Sequence, residues 1–397
     1  MSENEQVRPL LTVLVFGAAV CSAQFILPPS KVPGAVKEFE QSHDEIPLNC
    51  HVSAIKPAID FSFRFHAGYV VRVPLKLYFG ANHTLGVLTR LTPADTAAKP
   101  VFLISATNLP DIPKSKSEIE IAGSYLLGEG RYTVDLLMFD DSGRRCRKHW
   151  IAEAKLGRNE RNVTLRIPPG RVRSLYSASL PPAAPKPASG SKTLRLTVLL
   201  HATPIYSRAT KIRAYDREVL LGSLASLLEH VPSASIRLVV FNLAQQKKIY
   251  TDDRFTAGRL TEVGASMNQL QLGLVQYEVL QNTHGHLALL AALVNDELEA
   301  QEPSDAVIFL GPASPYLDAL PKALFENRPS AGPEFFYLQY RPSVLSARRT
   351  PPRGGPEFPD SIQSVMKRLH GKTFTVHSPG EFATAIAQIE NRTAPKP

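Results

Sequence analysis

The sequence predicts a multidomain protein in which an all-β sandwich precedes a doubly wound α/β domain. Three observations indicate this architecture. Apolar and polar residues alternate with period two over 46–172, a stretch rich in Pro, Ala and Ser occupies 173–192, and strand patterns alternate with amphipathic helices over 193–392. The 397 residues are 44% hydrophobic and 20% charged, which is the ordinary balance of a globular protein with a sizeable core.

Residues 1–23 have the features of a secretory signal peptide. Arg8 lies in a polar start, an apolar run covers 10–19, and small residues end at Ala23. We expect cleavage after Ala23 and export to the periplasm or the extracellular space. The apolar run is shorter than the roughly 20 residues that cross a bilayer as a helix, so an uncleaved anchor is the alternative. No later segment predicts a transmembrane helix.

Strand patterns fill the first domain. Residues 24–45 are polar and contain prolines, and they predict an extended lead-in. The segment IDFSFRFHAGYVVRVPLKLYF (59–79) then alternates apolar and polar residues, and Asp141, Ser142 and Gly143 supply a turn between two later strands. Closely spaced strands without a convincing helix are typical of an immunoglobulin-like β-sandwich, which we predict over 46–172.

Two cysteines, Cys50 and Cys146, remain once the signal is removed. Both lie in the β domain, Cys50 near its first strand and Cys146 near its last but one. In an oxidising compartment such a pair favours a disulfide, and two separately buried thiols are the alternative. A bridge would join distant parts of the sandwich.

The segment SASLPPAAPKPASGSK (177–192) has almost no large apolar side chains. It cannot bury enough surface to offset its ordering entropy, so 173–192 is predicted to be a fairly stiff linker between the domains.

The second domain alternates strands and helices over 193–392, and 393–397 is a tail. Strands apolar on both faces and separated by amphipathic helices predict a parallel sheet covered on both sides, with one antiparallel edge. The predicted strands are LRLTVLLHA (194–202), SIRLVVFNL (235–243), KKIYTDD (247–253), LVQYEVL (274–280), DAVIFLG (305–311), FFYLQYRP (335–342) and KTFTVHS (372–378). The predicted helices are 217–231, 256–270, 286–300, 360–371 and 378–389.

This order of elements resembles the von Willebrand factor A domain. The likeness rests on LTVLLHATP, LVVFNLAQQKKIYTDD, NTHGHLALLAAL and VIFLGP, and it covers about 193–392. The whole chain is similar to exported bacterial proteins related to that family that have no assigned function. The resemblance implies, where the family's ligand residues are present, a divalent-cation site with one position left for a partner's carboxylate.

Members of that family hold a divalent cation at the carboxyl edge of the sheet, and this chain departs from their ligand pattern. The Asp-x-Ser-x-Ser run falls on His201, Thr203 and Ile205, the loop threonine falls near His286, and the last aspartate falls on Pro312. Mg²⁺ requires hard oxygen ligands in near-octahedral geometry. Only one of the five ligand positions keeps a hydroxyl group. We therefore expect the crevice at this edge of the sheet to have lost its oxygen donors and its cation.

Three histidines suggest an alternative site. If His201, His284 and His286 converge at one edge of the sheet, their imidazoles would suit Zn²⁺, Ni²⁺ or Cu²⁺. Histidines at strand ends and helix starts also cap backbone groups, which is the competing interpretation.

The formal charge of +9 predicts attraction to polyanions. The long loop 341–360, with Arg348, Arg349 and Arg353, is a candidate contact for a protein or a cell-envelope polyanion. No aromatic-interleaved basic stripe indicates nucleic-acid binding.

Catalytic motifs are lacking. The sequence has no G-x-S-x-G elbow, no G-x-G-x-x-G after a strand and no Walker-type loop. We therefore predict an exported, non-catalytic binding or assembly protein without a cofactor, the histidine-dependent metal binder being the alternative.

Overall fold

The computed structural model describes ten stretches of the chain, which form two compact units. The described residues are 24–40, 46–94, 98–175, 194–205, 211–231, 233–273, 277–314, 316, 332–341 and 360–393. The first unit comprises Met1–Asp60, Arg64–Leu156 and Thr164–Ser179, and the second comprises Phe61–Phe63, Gly157–Val163 and Leu180–Pro397. The predicted signal peptide (1–23) and tail residues 394–397 lie outside the described residues.

The first unit is built from mostly antiparallel strands. A six-stranded sheet has the order β1-β6-β5-β8-β9-β2, and a four-stranded sheet has the order β10-β7-β4-β3. The strands are β1 (Phe25–Ile26), β2 (Ile46–Pro47), β3 (His51–Ile59), β4 (Phe65–Pro74), β5 (Thr84–Pro93), β6 (Val101–Asn108), β7 (Glu118–Leu127), β8 (Gly130–Asp140), β9 (Arg144–Ala154) and β10 (Val172–Ser174).

Side chains of both sheets meet in one apolar core. Tyr69 of β4 and Tyr125 of β7 belong to the same buried cluster as Leu91 of β5 and Val134 of β8. The period-two alternation that predicted strands places these residues on the inner faces. The β-rich character of this part of the chain is confirmed.

The prediction of an extended lead-in over 24–45 is wrong for 32–40, which form helix α1 (Val32–Glu40). Val32, Val36 and Phe39 pack against a second apolar cluster that contains Leu88 and Phe102. Their spacing of four and three residues places them on one helix face, and Pro33 is tolerated because it lies in the first turn. Residues 41–45 lie outside the described part of the chain.

The second unit contains a six-stranded sheet of the order β13-β12-β11-β14-β15-β16. All neighbouring pairs are parallel except β12 and β13, so the predicted antiparallel edge is confirmed. Its elements are β11 (Leu194–His201), α2 (Ala214–His230), β12 (Ser233–Asn242), β13 (Lys247–Asp252), α3 (Leu260–Asn268), α4 (Tyr277–Gln281), α5 (Gly285–Leu298), β14 (Ala306–Pro312), β15 (Glu334–Tyr340), α6 (Ser361–Arg368), β16 (Lys372–Val376) and α7 (Pro379–Thr393).

The central strands are buried on both faces, as their continuous apolar runs predict. Every residue of β14 is buried, and Arg195 is the only exposed residue of β11. Because helices must cover a parallel sheet, such runs distinguish these strands from the alternating strands of the first unit.

The strand predicted at LVQYEVL (274–280) is wrong for 277–280, since Tyr277–Gln281 form helix α4, and 274–276 lie outside the described residues. β14, the next strand of the sheet, pairs with β11 on one side and with β15 on the other, so residues 277–280 do not pair with it. Tyr277 and Leu280 are 71% and 62% exposed, so the apolar letters that suggested a strand do not mark buried positions.

Two short segments from the first half of the chain belong to the second unit. Within that unit, the ring of Phe61 lies 5.3 Å from the ring of Tyr340, and the ring of Phe63 lies 5.9 Å from that of Phe382. The predicted linker (173–192) overlaps β10 at its first two residues, and 176–193 lie outside the described residues.

Candidate functional site

The candidate site lies at the carboxyl edge of the parallel sheet, where β11 and β14 end side by side. When its six strands are numbered in chain order, the sheet has the order 3-2-1-4-5-6. The connection that follows β11 leads to one side of the sheet, and the connection that follows β14 leads to the other side. Ligands of doubly wound sheets bind at this switch point, outside the carboxyl ends of the strands. His201 ends β11 and Pro312 ends β14, so the sequence located the right edge.

His201 is buried and neutral. Its side chain is 1% exposed, and its ring stacks on Phe241 with centroids 5.2 Å apart. Burial lowers its pKa to about 4, more than the Pro312 carbonyl and the Asp360 carboxylate raise it. The Nδ1 atom lies 3.2 Å from the carbonyl oxygen of Pro312. A carbonyl can only accept, so Nδ1 carries the proton and donates it there.

Asp360 is the acidic residue that the sequence analysis missed. It is 1% exposed, and its carboxylate accepts hydrogen bonds from the Tyr337 hydroxyl at 2.7 Å and the Gln339 amide at 2.8 Å. It also caps α6 by accepting from the backbone N–H of Ile362 at 2.9 Å. An aspartate directly before a helical pattern is a helix-start signal, and it could have placed this carboxylate at the edge.

The expectation that the crevice has lost its oxygen donors is therefore wrong in part. Besides Asp360, the hydroxyls of Ser314 and Ser361 lie there and are hydrogen-bonded to each other at 2.8 Å. Ser314 follows β14, Asp360 directly precedes α6 and Ser361 is the first residue of α6, so none of them comes from the run after β11. The oxygen donors of this edge are thus supplied by other parts of the chain than the resemblance implies.

Gly311 allows the close approach of β14 and β11. Its φ is +146°, and a Cβ there would lie 2.8 Å from the backbone oxygen of His201. An L side chain would meet both a rare backbone conformation and a backbone clash. Glycine at position 311 is thus a packing requirement at the strand end.

The other positions that the resemblance aligns with cation ligands make internal contacts. The N–H of Thr203 donates to the His201 carbonyl at 3.1 Å, and the N–H of Ile205 donates to the Asp216 carboxylate at 3.2 Å. The ring of His286 stacks on Tyr316, with centroids 4.3 Å apart.

The three candidate metal-binding histidines lie in different settings. His201 and His286 are buried, and each stacks on a different aromatic ring, whereas His284 is exposed at the start of α5. Among the described residues, no three His, Cys, Asp or Glu side chains are grouped so as to hold a metal ion.

The two cysteines are joined as a disulfide. The Cα atoms of Cys50 and Cys146 are 6.2 Å apart, within the usual range for a bridge. Cys50 precedes β3 of the four-stranded sheet and Cys146 lies in β9 of the six-stranded sheet, so the bond links the two sheets of the first unit.

Some of the clustered basic residues of the chain lie in the described part of the structure and others do not. Arg348, Arg349 and Arg353 lie outside the described residues. In the described basic run of β9, Arg144 pairs with Asp140 at 2.7 Å and Arg145 pairs with Glu38 at 2.8 Å. These two charges are neutralised within the unit. Within the described part of the chain, no helix is long and apolar enough to cross a membrane.

Chemically, the edge is a closed hydrogen-bonded network. The Tyr337 hydroxyl oxygen, besides donating to Asp360, lies 3.1 Å from the same Pro312 carbonyl that His201 contacts. Burial and the Asp360 carboxylate raise the pKa of Tyr337 well above its usual value, so the phenol keeps its proton. The donors and acceptors of these side chains are hydrogen-bonded to one another, and the network stabilises the ends of the strands.

No protein-family model and no curated protein matches this chain. Among solved structures, a protein from Bordetella pertussis described as ApaA is 12% identical, covers 29% of this chain and 100% of its own length, and has a TM-score of 0.20. A calcium-binding mutant of beta-glucuronidase 2 from Bacteroides uniformis is 10% identical over 74% of this chain and 36% of the enzyme, with a TM-score of 0.20. Such likenesses are too weak to carry an argument about fold or function.

Proposed function

We propose that this chain is an exported, non-catalytic binding or assembly protein. Its second unit is a module of the von Willebrand factor A type without that family's cation site, and it mediates contacts with proteins or the cell envelope. Its first unit is an immunoglobulin-like sandwich stabilised by the disulfide. Export, with cleavage after Ala23, is part of the proposal.

The order of elements supports this assignment. β11, α2, β12, the hairpin strand β13 and α3 follow one another, and α4, α5, β14, β15, α6, β16 and α7 come after them. The first five elements have the order on which the resemblance rests, and the antiparallel strand β13 lies at the sheet edge.

The contacts of Pro312 and Asp360 support the part of the proposal that assigns no cation to this edge of the sheet. The Pro312 backbone oxygen, at the position of the family's last aspartate, lies within hydrogen-bond distance of both His201 and Tyr337. Asp360, a carboxylate close to Pro312 in the described part of the chain, already accepts from a phenol, an amide and a backbone N–H. A cation would have to displace these donors, and a single carboxylate offers it little compensation.

Thermal unfolding of residues 24–397 tests this point. A ligand that binds only the folded state raises the melting temperature by mass action. We expect no shift with Mg²⁺, Zn²⁺, Ni²⁺ or a chelator. A Mg²⁺ shift that Asp360→Asn abolishes would overturn the proposal, and a Zn²⁺ shift that His286→Ala abolishes would favour the histidine metal binder.

Binding to a polyanion tests the contact surface. We expect dextran sulfate to bind the chain and the affinity to fall as salt rises, because the net charge is +9. Replacing Arg348, Arg349 and Arg353 by glutamine should weaken binding by more than replacing Arg131, Arg171 and Arg173. Equal losses would contradict a role for the loop.

A further inference from the structure

The first unit carries an open cavity that no part of the proposed function uses. Its volume is about 310 Å³, at the lower end of the size of ligand sites. It lies where β4 ends and where the chain between β6 and β7 passes. The residues that line it are Leu75, Lys76, Phe79, Pro113, Lys114 and Ser115.

Backbone hydrogen bonds hold the two walls of the cavity together. Gly80 and Ile112 exchange a pair of N–H to carbonyl bonds, each 3.0 Å long. The N–H of Leu75 also donates to the carbonyl of Ser117 at 2.9 Å. The cavity is therefore formed by the fold itself, and a ligand would not have to order its walls.

The apolar surface of the cavity centres on an exposed aromatic ring. Phe79 is 61% exposed, while the preceding Tyr78 is fully buried and hydrogen-bonded to Asp140 at 3.1 Å. Phe79 thus exposes its ring to solvent next to a tyrosine that packs into the core. Large apolar side chains exposed beside a cavity mark contact sites more often than isolated ones do.

Two lysines give the cavity its charge. The Nζ atom of Lys114 lies 5.6 Å from the centre of the Phe79 ring, and Lys76 lines the opposite wall. Within the described residues, no carboxylate lines the cavity and neither lysine is in an ion pair. By contrast, the neighbouring Arg72 is paired with Glu120 at 2.6 Å.

We propose that this cavity binds a short acidic and apolar peptide segment of a partner protein. An aliphatic or aromatic side chain of the segment would pack between Leu75, Phe79 and Pro113, and flanking carboxylates would meet Lys76 and Lys114. Lysines act as point charges, so they accept carboxylates without the planar geometry that arginine requires. The cavity holds one or two side chains and opens to solvent, which suits a peptide crossing it better than an acyl chain.

Fluorescence anisotropy with the full exported chain tests the proposal. The probe is a short fluorescein-labelled peptide in which aspartate and leucine alternate. We expect Lys76→Glu, Lys114→Glu and Phe79→Ser each to weaken binding about tenfold, which corresponds to about 1.4 kcal/mol. The matched controls are Lys155→Glu and Ile151→Ser, which change an exposed lysine and a 51% exposed apolar residue elsewhere in the unit. Circular dichroism checks that each variant is folded.

Three results would overturn the inference. The first is absence of binding, or binding that the cavity variants leave unchanged. The second is equal binding of a peptide with serine in place of leucine, which would mean that charge alone is recognised. The third is tighter binding to phosphatidylglycerol vesicles with the same dependence on Lys76 and Phe79, which would indicate a lipid surface. None of these depends on cations, so failure here is distinguishable from failure of the proposed function.

Discussion

The Nδ1–H of His201 points at the carbonyl oxygen of Pro312 across a distance of 3.2 Å, joining the ends of β11 and β14. Both the neutral and the charged imidazole can donate a hydrogen bond from Nδ1, and burial favours the neutral form. The ring also stacks on Phe241, so the histidine contributes packing as well as a hydrogen bond.

Acid should destabilise the second unit through His201. Burial lowers its folded pKa to about 4 from the usual 6.5, so the unfolded state binds the proton more readily. The stability contribution is present above about pH 6.5, falls as pH decreases, and is lost once pH passes the folded pKa near 4. It amounts to about 3 kcal/mol. Calorimetry should show a steeper loss between pH 7 and pH 4 for the wild type than for His201→Gln; parallel losses would contradict this role.

The Asp360→Asn variant should unfold more easily at neutral pH. An amide group in place of Oδ2 would face the Tyr337 hydroxyl and the Gln339 amide, both of which donate to that oxygen. We expect a loss of about 2–4 kcal/mol in urea unfolding, because buried donors lose a charged acceptor.

Tyr337→Phe provides the control for that measurement. It removes one donor and should cost about 1–2 kcal/mol alone but less in the Asp360→Asn background. Strict additivity of the two changes would argue against a direct interaction.

Gly311→Ala should destabilise more than Gly143→Ala. Both glycines have positive φ, +146° and +78°, but a Cβ at Gly143 meets nothing within 4 Å, whereas one at Gly311 lies 2.8 Å from the His201 oxygen. The Gly143 change should cost about 1 kcal/mol for conformation alone, and the Gly311 change about 2–4 kcal/mol. Calorimetric transitions of the two variants provide the comparison, and a smaller cost at Gly311 would refute the steric argument.

Reduction of the Cys50–Cys146 bond should lower the stability of the first unit. The sequence separation is 96 residues, and closing a loop of this length is worth about 4 kcal/mol in the chain-entropy model. Intact mass should increase by two hydrogens on reduction, and dithiothreitol should lower the urea midpoint. Free thiols in protein isolated from an oxidising compartment, detected by alkylation before reduction, would contradict the bridge.

Much of the secondary structure could be predicted because it is encoded locally. The buried runs of β11 and β14 and the helical spacing in α2, α5 and α7 require only short-range patterns. The errors at Val32–Glu40 and Tyr277–Gln281 occurred in short segments, where apolar letters fit a strand, a helix or a loop about equally well. For the first segment, the sheet face that contains Leu88 and Phe102 supplies an apolar surface that a helix can cover.

The sequence by itself determined the strand-rich first half, the parallel-rich α/β second half with its antiparallel edge strand, and the absence of an Asp-x-Ser-x-Ser run after β11, because these follow from periodicity and residue type. Only the tertiary structure decided what occupies the crevice. Asp360 lies 48 residues after Pro312 in the chain, yet both contact Tyr337. Whether a strand end carries an open site or a closed network depends on which distant donors reach it, and hydrogen bonds between remote segments leave no local pattern.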